Sequence, residues 1–207
     1  IGINPFVYNP GACLFVDGEL KFFSDEERYS RFKVSNGLFP HESISEGLKD
    51  NNLSIGDIQS LAVPWMPWRL FRTLIASSIK SRLTNLNGLF RGGAYNTLPV
   101  NIHNTYKLYP FVLENLIKSE LVQRYGLPKP PRIQFESHHR SHAVSAYYLS
   151  GFNECVSIVI DGLGDKESSS AWHCVETGIR EIHSETFPNS LGEMYAGIAE
   201  YLGFQAY

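Results

Sequence analysis

The run Cys155-Val156-Ser157-Ile158-Val159-Ile160-Asp161-Gly162-Leu163-Gly164-Asp165 carries a β-branched apolar segment into a carboxylate and then a glycine turn. That is the pattern of a strand feeding a tight turn. A second strand is expected over Ser169–Val175, a turn at Glu176-Thr177-Gly178, and a third strand over Ile179–Thr186. The opening of the chain follows the same plan. Ile1–Asn4 reads as a strand, Tyr8-Asn9-Pro10-Gly11 as a turn, Ala12–Val16 as a strand, Asp17-Gly18 as a hairpin turn and Glu19–Phe23 as a strand. The repeat lies in the architecture and not in residue identity.

Between the two copies, Asp25-Glu26-Glu27-Arg28 opens a polar stretch, and His41–Lys49 is expected to be helical with Ile44 and Leu48 on one side. Residues from about 64 to 110 are aromatic and irregular, and are expected to form an insertion with some helix over Leu70–Lys80. Phe111–Tyr125 has Leu113, Leu116, Leu121 and Val122 near helical spacing. Lys129-Pro130-Pro131 breaks that helix, Arg132–Phe135 reads as a strand and His138–Leu149 as a helix. Three-strand meanders repeated with helices are the core plan of the actin-like ATPase (ribonuclease-H-like) class of α/β folds, with mixed sheets. The expected division is a first lobe over 1–150 and an incomplete second lobe over 151–207.

At 207 residues the chain suits one or two domains, and its 43% apolar and 19% charged content is that of a globular protein. A net charge of −3 without a basic block argues against nucleic acid as the partner. No apolar run approaches the roughly 20 residues that span a bilayer, and no signal peptide opens the chain. Cys13, Cys155 and Cys174 are odd in number and far apart. Cys13 and Cys155 lie in strand-like apolar contexts, so buried free thiols in a reducing, cytoplasmic setting are expected. The chain starts at Ile1 and stops at Tyr207, just after a helix-like stretch, so a piece of a longer chain is expected.

His138 and His142 stand at i and i+4, so on a helix both imidazoles project from one face and can share a metal ion. The plainer reading is a polar helix face. Asp161 at a strand end adds a carboxylate, and two imidazoles with one carboxylate and open positions suit iron, manganese or zinc better than magnesium. The backbone N–H groups at Gly162 and Gly164 are able to face a phosphate, although Asp-Gly alone explains a simple turn. Arg28, Arg31 and Lys33 form either a solvated surface or an edge that binds phosphate or carboxylate. Trp65 and Trp68 read as packing residues before a stacking platform.

Taken together, several ordered blocks resemble the O-carbamoyltransferase family of nodulation and antibiotic-tailoring enzymes. They are Gly2-Ile3-Asn4, Val16-Asp17-Gly18-Glu19-Leu20, Glu26 to Lys33 with Gly37 and Phe39-Pro40, His138 to Tyr148, Ser190 to Tyr195, and Tyr201-Leu202-Gly203-Phe204. Residues 50 to 130 carry little of the match. The resemblance implies a two-part enzyme. Its N-terminal lobe pair, related to the tRNA threonylcarbamoyl-transfer proteins, binds nucleotide and metal. A C-terminal domain beyond this chain makes carbamoyl-adenylate from carbamoyl phosphate and ATP, and the carbamoyl group passes to a hydroxyl of a sugar or other small metabolite. The resemblance further implies a metal, commonly iron, held by His138, His142 and Asp161, with one more aspartate beyond Tyr207.

Two departures from the family bear on the transfer step. Tyr8 stands where the family has the histidine expected to act as general base, and Val34 replaces a histidine that often follows the matching Lys33. A phenol with a reference pKa of about 10 is a poor base at neutral pH. Tyr8 serves as a base only if a positive charge, from Lys33 or a metal, lowers it; otherwise it packs against the acceptor. The alternative to an enzyme is a nucleotide-binding regulatory or scaffold protein that keeps the actin-like fold without transfer.

Overall fold

The computed structural model describes residues 1–6, 9–33, 37–73, 75–76, 109–127 and 129–204. Two compact units emerge, Ile1–Pro64 with Phe111–Glu136, and Trp65–Pro110 with Ser137–Tyr207. The grouping passes between Glu136 and Ser137, ahead of the boundary expected at about 150, and takes residues 65–110 into the second unit.

The first unit is built on a five-stranded mixed sheet of β1 (Gly2–Asn4), β2 (Gly11–Val16), β3 (Glu19–Asp25), β4 (Ser60–Val63) and β5 (Arg132–Phe135), in the order β3-β2-β1-β4-β5. β1, β2 and β3 form the expected antiparallel meander, while β4 runs parallel to both β1 and β5. Asp17 and Gly18 have φ of 52° and 83°, the left-handed values that a two-residue hairpin needs to match strand twist. β4 was not anticipated. It is only four residues long and ends against Pro64, and its buried Leu61 and Val63 alternate with an exposed Ala62 that blurs the pattern.

Helices α1 (Glu27–Ser30), α2 (His41–Asp50) and α3 (Pro110–Tyr125) complete the first unit, apart from Pro110. The buried stripe of α3 is Leu113, Ile117 and Leu121; Leu116 is half-buried and Val122 exposed, so the apolar face is narrower than the sequence suggests. On α2, a Cβ at Gly47 would lie 2.7 Å from the Phe22 ring, so glycine lets the helix close on β3. Its N-terminus is held by Glu26, which is buried. The Glu26 carboxylate accepts hydrogen bonds from the Glu42 N–H (3.1 Å), the Ser43 N–H (2.9 Å) and the Ser43 hydroxyl (2.8 Å). A carboxylate there satisfies free helix donors and complements the helix dipole.

The second unit contains the antiparallel sheet β6 (Glu154–Ile160), β7 (Glu167–Val175) and β8 (Gly178–Thr186), the second meander. Across it lies α4 (His138–Ser150), capped by Ser137, whose hydroxyl accepts from the Arg140 N–H, and ended by Gly151 at φ 74°. Ala143 and Tyr147 of α4 pack with Val159, Trp172 and Cys174 of the sheet. Each large side chain in that cluster contributes about 1.5–3 kcal/mol on burial. Residues 67–73 are helical, within the stretch read as an insertion, of which residues 77–108 lie outside the described residues. α5 (Leu191–Tyr201) is the last helix of the described residues. Among the described residues no helix is long and apolar enough to cross a membrane.

Candidate metal centre

His138 opens α4, His142 follows one turn later, and Asp161 leaves the end of β6. One donor atom from each falls within 4.8 Å of the other two. His138 Nε2 lies 2.9 Å from Asp161 Oδ2 and 3.1 Å from His142 Nε2. A neutral imidazole Nε2 either donates or accepts, so His138 Nε2 cannot donate to Asp161 and also accept from His142. A single cation takes both ring lone pairs and the carboxylate at once. Donors about 2.1 Å from one ion lie about 3 to 3.4 Å apart, for right-angled to tetrahedral arrangements, and the two spacings to His138 Nε2 are of that size. The His138 hydrogen bond, ahead of other influences, holds the Asp161 carboxyl below the usual carboxylate range. Burial of the ring, followed by the neighbouring His138, lowers His142.

The surroundings of this cluster are more ordered than its sequence suggests. The Trp65 indole stacks on the His138 ring at 3.8 Å between centroids and 23° between planes, so it packs against a protein side chain. Asp165 is fully buried and accepts from the backbone N–H of Met66 (2.7 Å) and of His138 (3.1 Å). His139 is also fully buried, with Nδ1 2.8 Å from the Ser170 hydroxyl, which accepts from Trp172 Nε1 at 2.7 Å. Burial lowers His139. The buried Glu167 has the Lys166 ammonium 3.4 Å away and the Arg69 guanidinium 3.9 Å away.

The glycines here meet close neighbours. A Cβ at Gly164 would lie 2.6 Å from the His139 ring, and one at Gly192 only 2.6 Å from the Gly162 nitrogen. The Ser190 hydroxyl, which caps α5, sits 3.0 Å from the Asp161 carbonyl and 2.8 Å from that of Gly162. The Ser190-Leu191-Gly192 block thus seats α5 against the turn that bears Asp161. Gly162 N–H donates to Asp161 Oδ1 at 2.7 Å, and Gly164 N–H to the Glu167 carbonyl at 2.7 Å, so both N–H groups have partners within the turn.

The remaining candidates belong to the first unit. Arg28, Arg31 and Lys33 are exposed, and Arg31 has a left-handed φ of 61° at the end of α1. Tyr8 lies outside the described residues, between Phe6 and Asn9, whose φ values of 63° and 50° are left-handed. Sequence reasoning missed Trp65, Glu167 and the buried role of His139. It also took Asp165 for a turn residue only. The clustering of Asp161, Asp165 and Glu167 about one turn was a legible signal, whereas the approach of Trp65, 73 positions before His138, was not.

Residues 1–207 match the family described as Carbamoyltransferase N-terminus. An uncharacterized protein of Synechocystis is 26% identical over 99% of this chain and 32% of its own length. The nodulation protein NolNO of Sinorhizobium fredii is 30% identical over 97% of this chain and 26% of its own length. The nodulation protein NolO of Bradyrhizobium diazoefficiens is 40% identical over 67 residues, 32% of this chain and 12% of that protein. The chain spans about a quarter to a third of the first two relatives. With its whole length matched, the chain belongs to the carbamoyltransferase N-terminus family.

Proposed function

We propose that this chain is the N-terminal part of an ATP-dependent carbamoyltransferase. The enzyme takes carbamoyl from carbamoyl phosphate, through carbamoyl-adenylate, to a hydroxyl of a sugar or other small metabolite. The observation that carries the proposal is the convergence of His138, His142 and Asp161 in a chain matched end to end by this family. The order β3-β2-β1-β4-β5, with β2 antiparallel and β4 and β5 parallel to β1, supports the actin-like reading of the first unit. The carbamoyl-adenylate-forming domain belongs, in this proposal, to the rest of a longer protein in a cytoplasmic setting.

In this reading His138, His142 and Asp161 hold one transition metal, iron first with manganese and zinc as alternatives. Bound there, it supplies positive charge that offsets charge developing on the leaving phosphate. Arg28 and Arg31 bind phosphate or carboxylate through guanidinium forks. In this reading the nucleotide phosphates approach the turn at Gly162 and Gly164, whose N–H groups exchange their partners within the turn for phosphate oxygens. Tyr8 receives the acceptor's proton if Lys33 or the metal lowers its phenol, and otherwise orients the acceptor. The test is carbamoyl-phosphate-dependent release of pyrophosphate from ATP by the full-length protein. No turnover with metal supplied sinks the enzyme reading. Tyr8 in place of a histidine favours the second reading, a non-catalytic nucleotide-binding regulatory or scaffold protein. Tight nucleotide binding, with no labelled product from radiolabelled carbamoyl phosphate, would establish that one.

A further inference from the structure

We infer that Asp165 and Trp65 are positioning residues that together fix the His138 imidazole toward Asp161 and His142. The inference rests on the metal reading of that cluster. Asp165 is fully buried, yet it lies outside the group of converging donor atoms. Its two oxygens bind two backbone segments far apart in sequence. Oδ2 accepts the His138 N–H at the start of α4, and Oδ1 accepts the Met66 N–H. One carboxylate thereby ties the first residue of the helix to the residue beside Trp65.

The consequence falls on one ring. With Met66 held, the Trp65 indole covers a face of the His138 imidazole at 3.8 Å and 23°. A ring stacked this way cannot turn about its Cβ–Cγ bond without losing the indole contact. Such a turn would carry Nε2 away from Asp161 Oδ2 and His142 Nε2, now 2.9 and 3.1 Å away. Asp165 therefore sets where the imidazole is anchored, and Trp65 sets which way it faces. Outer partners of this kind tune a metal site because ligand orientation governs the field at the ion.

Co(II) alone is the probe, titrated into the full-length protein and followed by its visible absorption. Asp165→Asn keeps the shape but places an amide N–H₂ where an acceptor is needed. We expect about tenfold weaker Co(II) binding and a shifted visible band. Trp65→Leu should weaken binding by about tenfold, while Trp65→Phe, which keeps an aromatic face, stays within about threefold of wild type. Circular dichroism and thermal melting identify variants that have not folded. If Asp165→Asn does not fold, the Trp65 pair decides. Folded Asp165→Asn or Trp65→Leu with wild-type affinity and spectrum overturns the inference while the metal reading stands. A wild type that takes up no Co(II) removes the metal reading, and the inference with it.

Discussion

Glu26 in the first unit and Asp165 in the second are the same device put to different ends. Each is a buried carboxylate that accepts at least one backbone N–H in the first turn of a helix. Glu26 spends all three of its short contacts on Glu42 and Ser43 of α2, so it binds one helix end to the chain leaving β3. Asp165 divides its two oxygens between α4 and the segment at Met66, and the helix it holds carries two imidazoles toward Asp161. A carboxylate that satisfies one helix end gives cohesion. One shared between two segments also sets a direction, and only the second unit turns that direction into a donor cluster.

The sharpest way to break this contrast is to remove a ligand and a buried neighbour in turn. His142→Ala should lower metal affinity by more than about a hundredfold, beyond the range for outer partners. His139→Ala, whose ring bonds Ser170, should cost less than about tenfold in metal affinity while lowering stability. Elemental analysis giving equal metal losses for both would reject the ligand assignment. Glu26→Ala should destabilise the protein by about 3 kcal/mol, since it strands buried helix donors and removes charged hydrogen bonds. Urea unfolding reads the loss. Co(II) affinity unchanged in that variant would confirm that the first unit's carboxylate serves cohesion alone.

The pH response sharpens the second half of the contrast. The lowered His142 imidazole and Asp161 carboxyl are both free of protons at neutral pH and ready for a cation. The His142 contribution to metal affinity should be fully present above the ordinary imidazole value of 6.5 and be lost as pH drops through its lower folded value. Each proton that must be displaced steepens the fall by at most about tenfold per pH unit. Stability moves the same way. The unfolded His142 takes its proton at a higher pH than the folded one, so acidification below 6.5 costs native stability. The Asp161 contribution is present above the ordinary 3.8 and is lost as pH falls through its folded value. Affinity that rises on acidification would contradict this.

The smallest effect belongs to the exposed ion pair that joins two helices of the first unit. Arg124 Nη2 and Glu42 Oε1 are 2.9 Å apart with about half of each side chain open to solvent. Arg124→Ala should cost about 0.5 kcal/mol and be insensitive to metal. A loss of several kcal/mol in thermal unfolding would show that surface pairing matters as much to this unit as its buried carboxylate.

Much of the secondary structure was legible because local signals agreed. The Asp17-Gly18 hairpin and the turn at Glu176-Thr177-Gly178 both lie in short windows where turn chemistry and apolar pattern coincide, whereas the helix expected to break at Lys129-Pro130-Pro131 already ends at Tyr125, before Gly126 at φ 63°. β4 was lost because a four-residue strand is defined by the neighbours it pairs with, here β1 and β5, more than by its own composition. The stripe on α3 shows a related limit. Several apolar spacings fit one helix, and burial selected Leu113, Ile117 and Leu121.

The metal cluster divides along the same line. Helical spacing alone placed His138 and His142 on one face, and a strand end alone placed a carboxylate at Asp161, because periods of 3.6 and 2 are properties of the local backbone. Bringing Asp161 within 2.9 Å of His138 Nε2 required α4 to pack on β6 and β7 through Ala143, Tyr147, Val159 and Trp172. Trp65 over the imidazole and Asp165 bridging Met66 to His138 join residues up to 99 positions apart. No local preference encodes such contacts. They arise when burial of the shared apolar face leaves polar groups that must find partners, and only the folded chain determines which ones they find.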